Sequence, residues 1–227
     1  MKKGGCPLVL AIMACFLVGC AGENGFRVEN LAKSDIDMVA EAHVRETREL
    51  LEDLTGKLYR RNPSQLHRAP GQTLESRMEQ LFGSERTESH EELEGRRSIE
   101  AMLLAFDDDF QGDRVFAMML GLATMMAHSY ENKDRFFMLD KLDEQKLYNS
   151  ARNIEILSWR LRSRSRADGE LFLLSNSFGK QPNLSFERVF SKLIAHQDMM
   201  AILVSQKNNR AINKVVQGVA TTMFLPI

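Results

Sequence analysis

Between Val115 and Ala127 the chain is a nearly unbroken apolar run, VFAMMLGLATMMA, interrupted only by Gly121 and Thr124. A helix carrying this run has no polar face, which puts it either at the centre of a helical domain or across a membrane. A span needs roughly 20 apolar residues. Asp113 and Arg114 on one side and His128 on the other close the run too early, so the pattern predicts a buried central helix over 113–130.

Elements are predicted on both sides of it. Ser34, with Asp37 three residues on, has the pattern of a capping box. Ile36, Ala40, His43, Thr47, Leu50, Leu54 and Leu58 then follow at alternating spacings of four and three, a seam for helix packing that should end before Pro63. From Pro63 to Gly95 breakers and mixed charge surround one short helical candidate, Leu74 to Phe82. This stretch is expected to bury little and to form a mobile polar excursion on the surface. Helical spacing returns with Ile99, Met102, Leu103, Phe106 and Phe110, and Asp113 is placed to cap the central helix.

After a connector, Lys133 to Leu139, a helix is predicted whose face is Leu147, Ala151, Ile154, Leu157 and Leu161. Glu170 to Leu174 has strand character, but an isolated strand leaves its edges unpaired, so it reads as an apolar loop plugging the core. Ser185 is expected to cap the next helix, with a stripe from Phe186 to Val204 and a bend or break at Gln206 to Arg210. Ile212, Val215, Val216, Val219 and Met223 predict a final helix up to Pro226. The expected fold is all-α: a single irregular multi-helix domain over residues 34–227.

The first residues have a different character. Lys2 and Lys3 precede a short apolar stretch from Pro7 to Val18, the proportions of a signal peptide. The stretch ends in Leu17-Val18-Gly19-Cys20, which resembles the lipobox of bacterial lipoprotein precursors. That resemblance covers the leader only. It implies removal of residues 1–19, lipidation of Cys20, and a lipidated tether over 20–33. Ala21 rather than Asp after the cysteine implies sorting to the outer membrane, facing the periplasm. Two or three acyl chains anchor stably where one does not.

The chain has three cysteines. Cys6 and Cys15 leave with such a leader and Cys20 takes the lipid, so the mature domain has neither a thiol nor a disulfide and rests on its core. A net charge of -1 and a pI near 6.5 give no footprint for nucleic acid.

Candidate chemistry is sparse. Asp107, Asp108, Asp109 and Asp113 cluster oxygen ligands of the kind calcium or magnesium uses, but without the alternation of an EF-hand loop. His43, His128 and His196 all fall in helical patterns and could converge as metal ligands if their helices are neighbours, although none has a partner at ligand spacing on its own helix. Arg160, Arg162, Arg164 and Arg166 suit a helix C-terminus and could also contact an anion. Paired methionines such as Met118-Met119 and Met125-Met126 lie inside apolar runs, where packing explains them. No nucleophile elbow or phosphate loop is present.

These readings converge on a membrane-anchored envelope lipoprotein that acts as a non-enzymatic adaptor or assembly accessory with a protein partner. It would have no cofactor beyond the covalent lipid. The alternatives are a carrier enclosing an apolar or lipid ligand and a metal-dependent enzyme.

Overall fold

The computed structural model describes residues 34–83, 90–137, 139–177, 182–213 and 223–227. The leader, its cysteines and the tether lie outside the described residues, as does most of the expected final helix. Helix α1 (Asp35–Arg61) starts on the predicted box: the Asp37 amide points to the Ser34 hydroxyl, and the Ser34 amide donates to the Asp37 carboxylate at 2.8 Å. Its buried face includes Ala40, Thr47, Leu50, Leu54 and Leu58 from the seam. Leu51, Thr55 and Tyr59 widen that face. Asn62 closes the helix.

Helices α2 (Leu74–Phe82) and α3 (Ser98–Leu104) precede the central α4 (Arg114–Ser129), and α5 (Glu144–Ser163) and α6 (Ser185–Asn208) follow it. Helix α5 packs along α6, α6 along α1, and α3 along α4. Val115 to Met119 are fully buried, and the Asp113 carboxylate caps α4 by accepting the Phe116 amide at 3.0 Å. The interior is thus all-α and built around the predicted centre. Among the described residues no helix is long and apolar enough to cross a membrane.

Helix α3 approaches α4 unusually closely at Gly121. A Cβ there would lie 2.5 Å from the Ser98 carbonyl oxygen and 2.6 Å from the Met102 nitrogen, so only glycine fits. Thr124, one turn on, accepts the Ser98 amide at 2.8 Å. The two interruptions in the apolar run are therefore the docking points of its neighbour.

Four expectations need correction. The stretch from Pro63 to Gly95 does not bury little: Gln65, Arg77, Leu81, Phe82 and Leu93 are all buried, and α2 packs on both α1 and α4. The helix beginning at Ser98 stops at Leu104, leaving Phe106 and Phe110 in the turns that follow. Leu184, not Ser185, is the N-cap of α6, and the Ser185 amide is held by the Asn183 side chain at 3.0 Å. The central helix is not covered all round, because Ala123, Thr124, Ala127 and His128 are only half-buried.

Two loops are fastened by asparagine side chains. Asn62 donates to the Leu174 carbonyl at 2.9 Å and accepts the Leu174 amide at 2.7 Å, which seats Phe172 and Leu173 in the core as the expected plug. Asn153 forms the same pair with Leu225, at 2.8 and 2.7 Å, and Asn149 adds a bond to the Pro226 carbonyl.

Candidate functional site

The half-buried strip of α4 forms one wall of a cleft of about 200 Å3. Val44, Thr47, Arg48 and Leu51 of α1 also line it, with Leu81 and Phe82 of α2. Arg97 and Ser98 stand at the start of α3, and Tyr130, Asn132, Lys133 and Asp134 come from the turn after α4. The lining contains two residues in the sparsely populated left-handed region: Ser98 at φ 51° and Asn132 at φ 55°. Held by packing, such positions are frequent at binding sites.

Inside, Leu51, Phe82, Leu120 and Met126 make an apolar surface, while Arg48, Arg97, Lys133 and His128 surround it with basic groups. Arg48 also pairs with Glu52 along α1 at 3.1 Å, and Lys133 pairs with Asp140. One hydroxyl in the lining is out of the ordinary. Thr55 and Thr124 return their hydroxyls to the carbonyl four residues back, each at 2.7 Å. Thr47, equally helical and, like Thr55, buried, has no hydrogen-bond partner. The Tyr130 hydroxyl is buried beside the Gln197 side chain. Burial pushes the Tyr130 phenol well above its ordinary value, partly opposed by the nearby Gln197 amide.

A buried polar network lies at the N-terminal end of α4. The Arg77 guanidinium carbon sits 3.8 Å from the centroid of the Phe116 ring, and its two terminal nitrogens grip Glu92 at 2.5 and 2.7 Å. Its Nε is 3.3 Å from Asp113, which accepts the Tyr59 hydroxyl at 2.7 Å. Burial pushes the Asp113 carboxyl up, opposed by the Phe116 amide, Tyr59 and Arg77. Burial pulls Arg77 down, but Glu92 and Asp113 reverse this and leave it above the ordinary range. Arg114, also buried, donates to the carbonyls of Ala105, Asp107 and Phe110 at 3.2, 2.6 and 2.6 Å. Burial, with Arg166 and Arg68 nearby, lowers it to about 10.

The expected metal ligands do not assemble. Asp113 faces the core, whereas Asp107 accepts the Asp109 amide at the surface. Of the three histidines, His43 and His196 meet across the α1–α6 seam with ring centroids 5.0 Å apart. His128 lines the cleft instead. Among the described residues no three His, Cys, Asp or Glu side chains form a ligand group. The four arginines also diverge: Arg160 lies over the Phe224 ring at 4.6 Å, Arg162 pairs with Glu187 at 3.1 Å, and Arg164 is exposed. Arg166 is close enough to Arg114 to depress its pKa.

Periodicity places Thr47 on the α1 seam, but no local pattern marks it, Arg48, Arg97 or Lys133 as part of a site. Only the crossing of α1 over α4 brings these residues together. Comparison of the chain with protein-family models, with curated proteins and with solved structures finds no match.

Proposed function

We propose that this protein is a lipid-anchored component of the bacterial cell envelope, facing the periplasm from the outer membrane, and that it works as a non-enzymatic adaptor or assembly accessory. The leader supports the address: a basic start, a short apolar stretch and a cysteine after Leu17-Val18-Gly19. The observation that carries the adaptor reading is the filled interior. Leu54, Leu58, Met102, Met118 and Met119 are fully buried against one another's elements. The cleft beside them, about 200 Å3, is below the roughly 300 Å3 at which pockets for drug-sized molecules begin. A protein that enclosed a whole lipid would need more room.

On α6, Met199 and Ile202 are 52% and 49% exposed, less than one turn apart on the side away from the core. They are the natural positions for photo-crosslinking side chains in intact cells. The expected result is a discrete crosslinked envelope protein, together with loss of membrane association in Cys20→Ala while the domain still folds. A Cys20→Ala protein that stays on membranes through high salt and carbonate would overturn the lipid anchor. An absence of crosslinks from every surface position would overturn the adaptor.

A further inference from the structure

We propose that the cleft between α1 and α4 binds a small organic acid with an apolar middle and a hydrogen-bonding group at its far end. Three independent features converge on this class. The first is charge. Arg48, Arg97 and Lys133 are the cations of the lining; Arg48 and Lys133 each make one ion pair with an acid outside it, Glu52 and Asp140, and keep further N–H donors for an anionic group at the lip. The second is the apolar surface of Leu51, Phe82, Leu120 and Met126, which gives up water on contact with a ring or short chain.

The third feature is Thr47. Buried polar groups are almost always hydrogen-bonded, and an orphan requires a partner from somewhere. Thr47 is 4% exposed, lines the cleft, and lacks the backbone bond that Thr55 and Thr124 make. A hydroxyl or amide on the ligand can supply the partner that Thr47 lacks. Size sets the remaining limit. About 200 Å3 admits a molecule of roughly a dozen non-hydrogen atoms, well short of a membrane lipid.

The inference does not depend on the adaptor reading, since an adaptor with an unused cleft keeps its crosslinks and binds no acid. The test is titration calorimetry on the full chain in lipid nanodiscs, with empty nanodiscs as the blank. Three probes are compared: 3-(4-hydroxyphenyl)propanoate, 3-phenylpropanoate and tyramine. The expected result is saturable binding of the hydroxylated acid, about tenfold weaker binding without the hydroxyl, and none detectable for the amine. Thr47→Val should narrow the difference between the two acids to about twofold or less. Thr47→Ser, which keeps the hydroxyl, should restore it, and an unchanged melting temperature separates this effect from misfolding. Arg48→Gln combined with Lys133→Gln should weaken both acids by about tenfold. The proposal is overturned if the hydroxylated acid gives no heat, if the three probes bind alike, or if Thr47→Val still distinguishes the acids as the unaltered chain does.

Discussion

Arg77 lies flat over the Phe116 ring, its guanidinium carbon 3.8 Å from the ring centroid, while His90 meets the same ring edge-on at 5.0 Å. A charged side chain from a polar stretch thus fills the position above the central helix that a hydrophobic residue would ordinarily take. The planar cation tolerates this because one face stacks on the aromatic ring and its edge is held by Glu92. Arg77→Ala should therefore cost about 3 to 5 kcal/mol, because it leaves Asp113 buried opposite a void. Arg77→Lys should recover only part of this, as the fork and the stacking are both lost. Urea denaturation measures both, and a loss below about 1 kcal/mol for Arg77→Ala would mean that Asp113 finds another partner.

How much of this could be read from the chain depends on what the pattern counts. Periodicity located α1 and α4, and it gave the bounds of α2 correctly, because apolar spacing follows burial on a single helix. It failed where charge was equated with exposure. Arg77 and Arg114 are both 2% exposed or less, one stacked on a ring and the other held in a cage of carbonyls at the end of α3. For this reason the polar stretch after Pro63 has the pattern of a surface excursion, although it supplies part of the core. The cleft was illegible for a different reason. Thr47, Arg48 and Lys133 come from separate elements, and no local spacing records how α1 crosses α4.

Gly121→Ala is expected to disrupt the α3–α4 contact. The added methyl would meet backbone atoms of Ser98 and Met102 at 2.5 and 2.6 Å, and backbone cannot rotate away as a side chain can. The strain of such an insertion is about 1 to 3 kcal/mol, enough to outweigh the better helix propensity of alanine. A thermal melt at or above that of the unaltered protein would show that α3 slides aside without penalty.

The His43–His196 pair predicts a pH dependence. Burial, and then the facing His196 ring, hold His43 below its ordinary value of 6.5, with the His196 carbonyl opposing. The unfolded chain therefore takes up a proton at higher pH than the folded chain does. Stability from this group is fully present above pH 6.5 and falls as pH drops below it toward the folded-state value. The slope for one proton is at most about 1.4 kcal/mol per pH unit. His43→Gln should flatten the stability curve between pH 7 and about 5 relative to the unaltered protein. Parallel curves for the two proteins would place the dependence elsewhere.

Asn153→Leu should release the C-terminal segment while leaving the helices in place. Both bonds to Leu225 disappear, and the Leu225 amide loses its acceptor on α5. Removing one side of such a buried pair costs about 1 to 3 kcal/mol. Hydrogen exchange should show faster exchange at the Leu225 amide, with Ile154 and Leu157 still protected. Loss of protection across α5 would instead make the segment part of the helical core's cooperative unit.

The two asparagine clamps also bear on self-association. Asn62 and Asn153 each hold one loop residue in the manner of a neighbouring strand, offering one donor and one acceptor from a side-chain amide. A true strand edge repeats its donors and acceptors along its length, and that repetition templates edge-to-edge growth between molecules. A side-chain amide has no next residue to continue the ladder. The protein thereby gains sheet-like fastening of its loops at two points without presenting at either one a row of unpaired backbone groups on which another copy could extend.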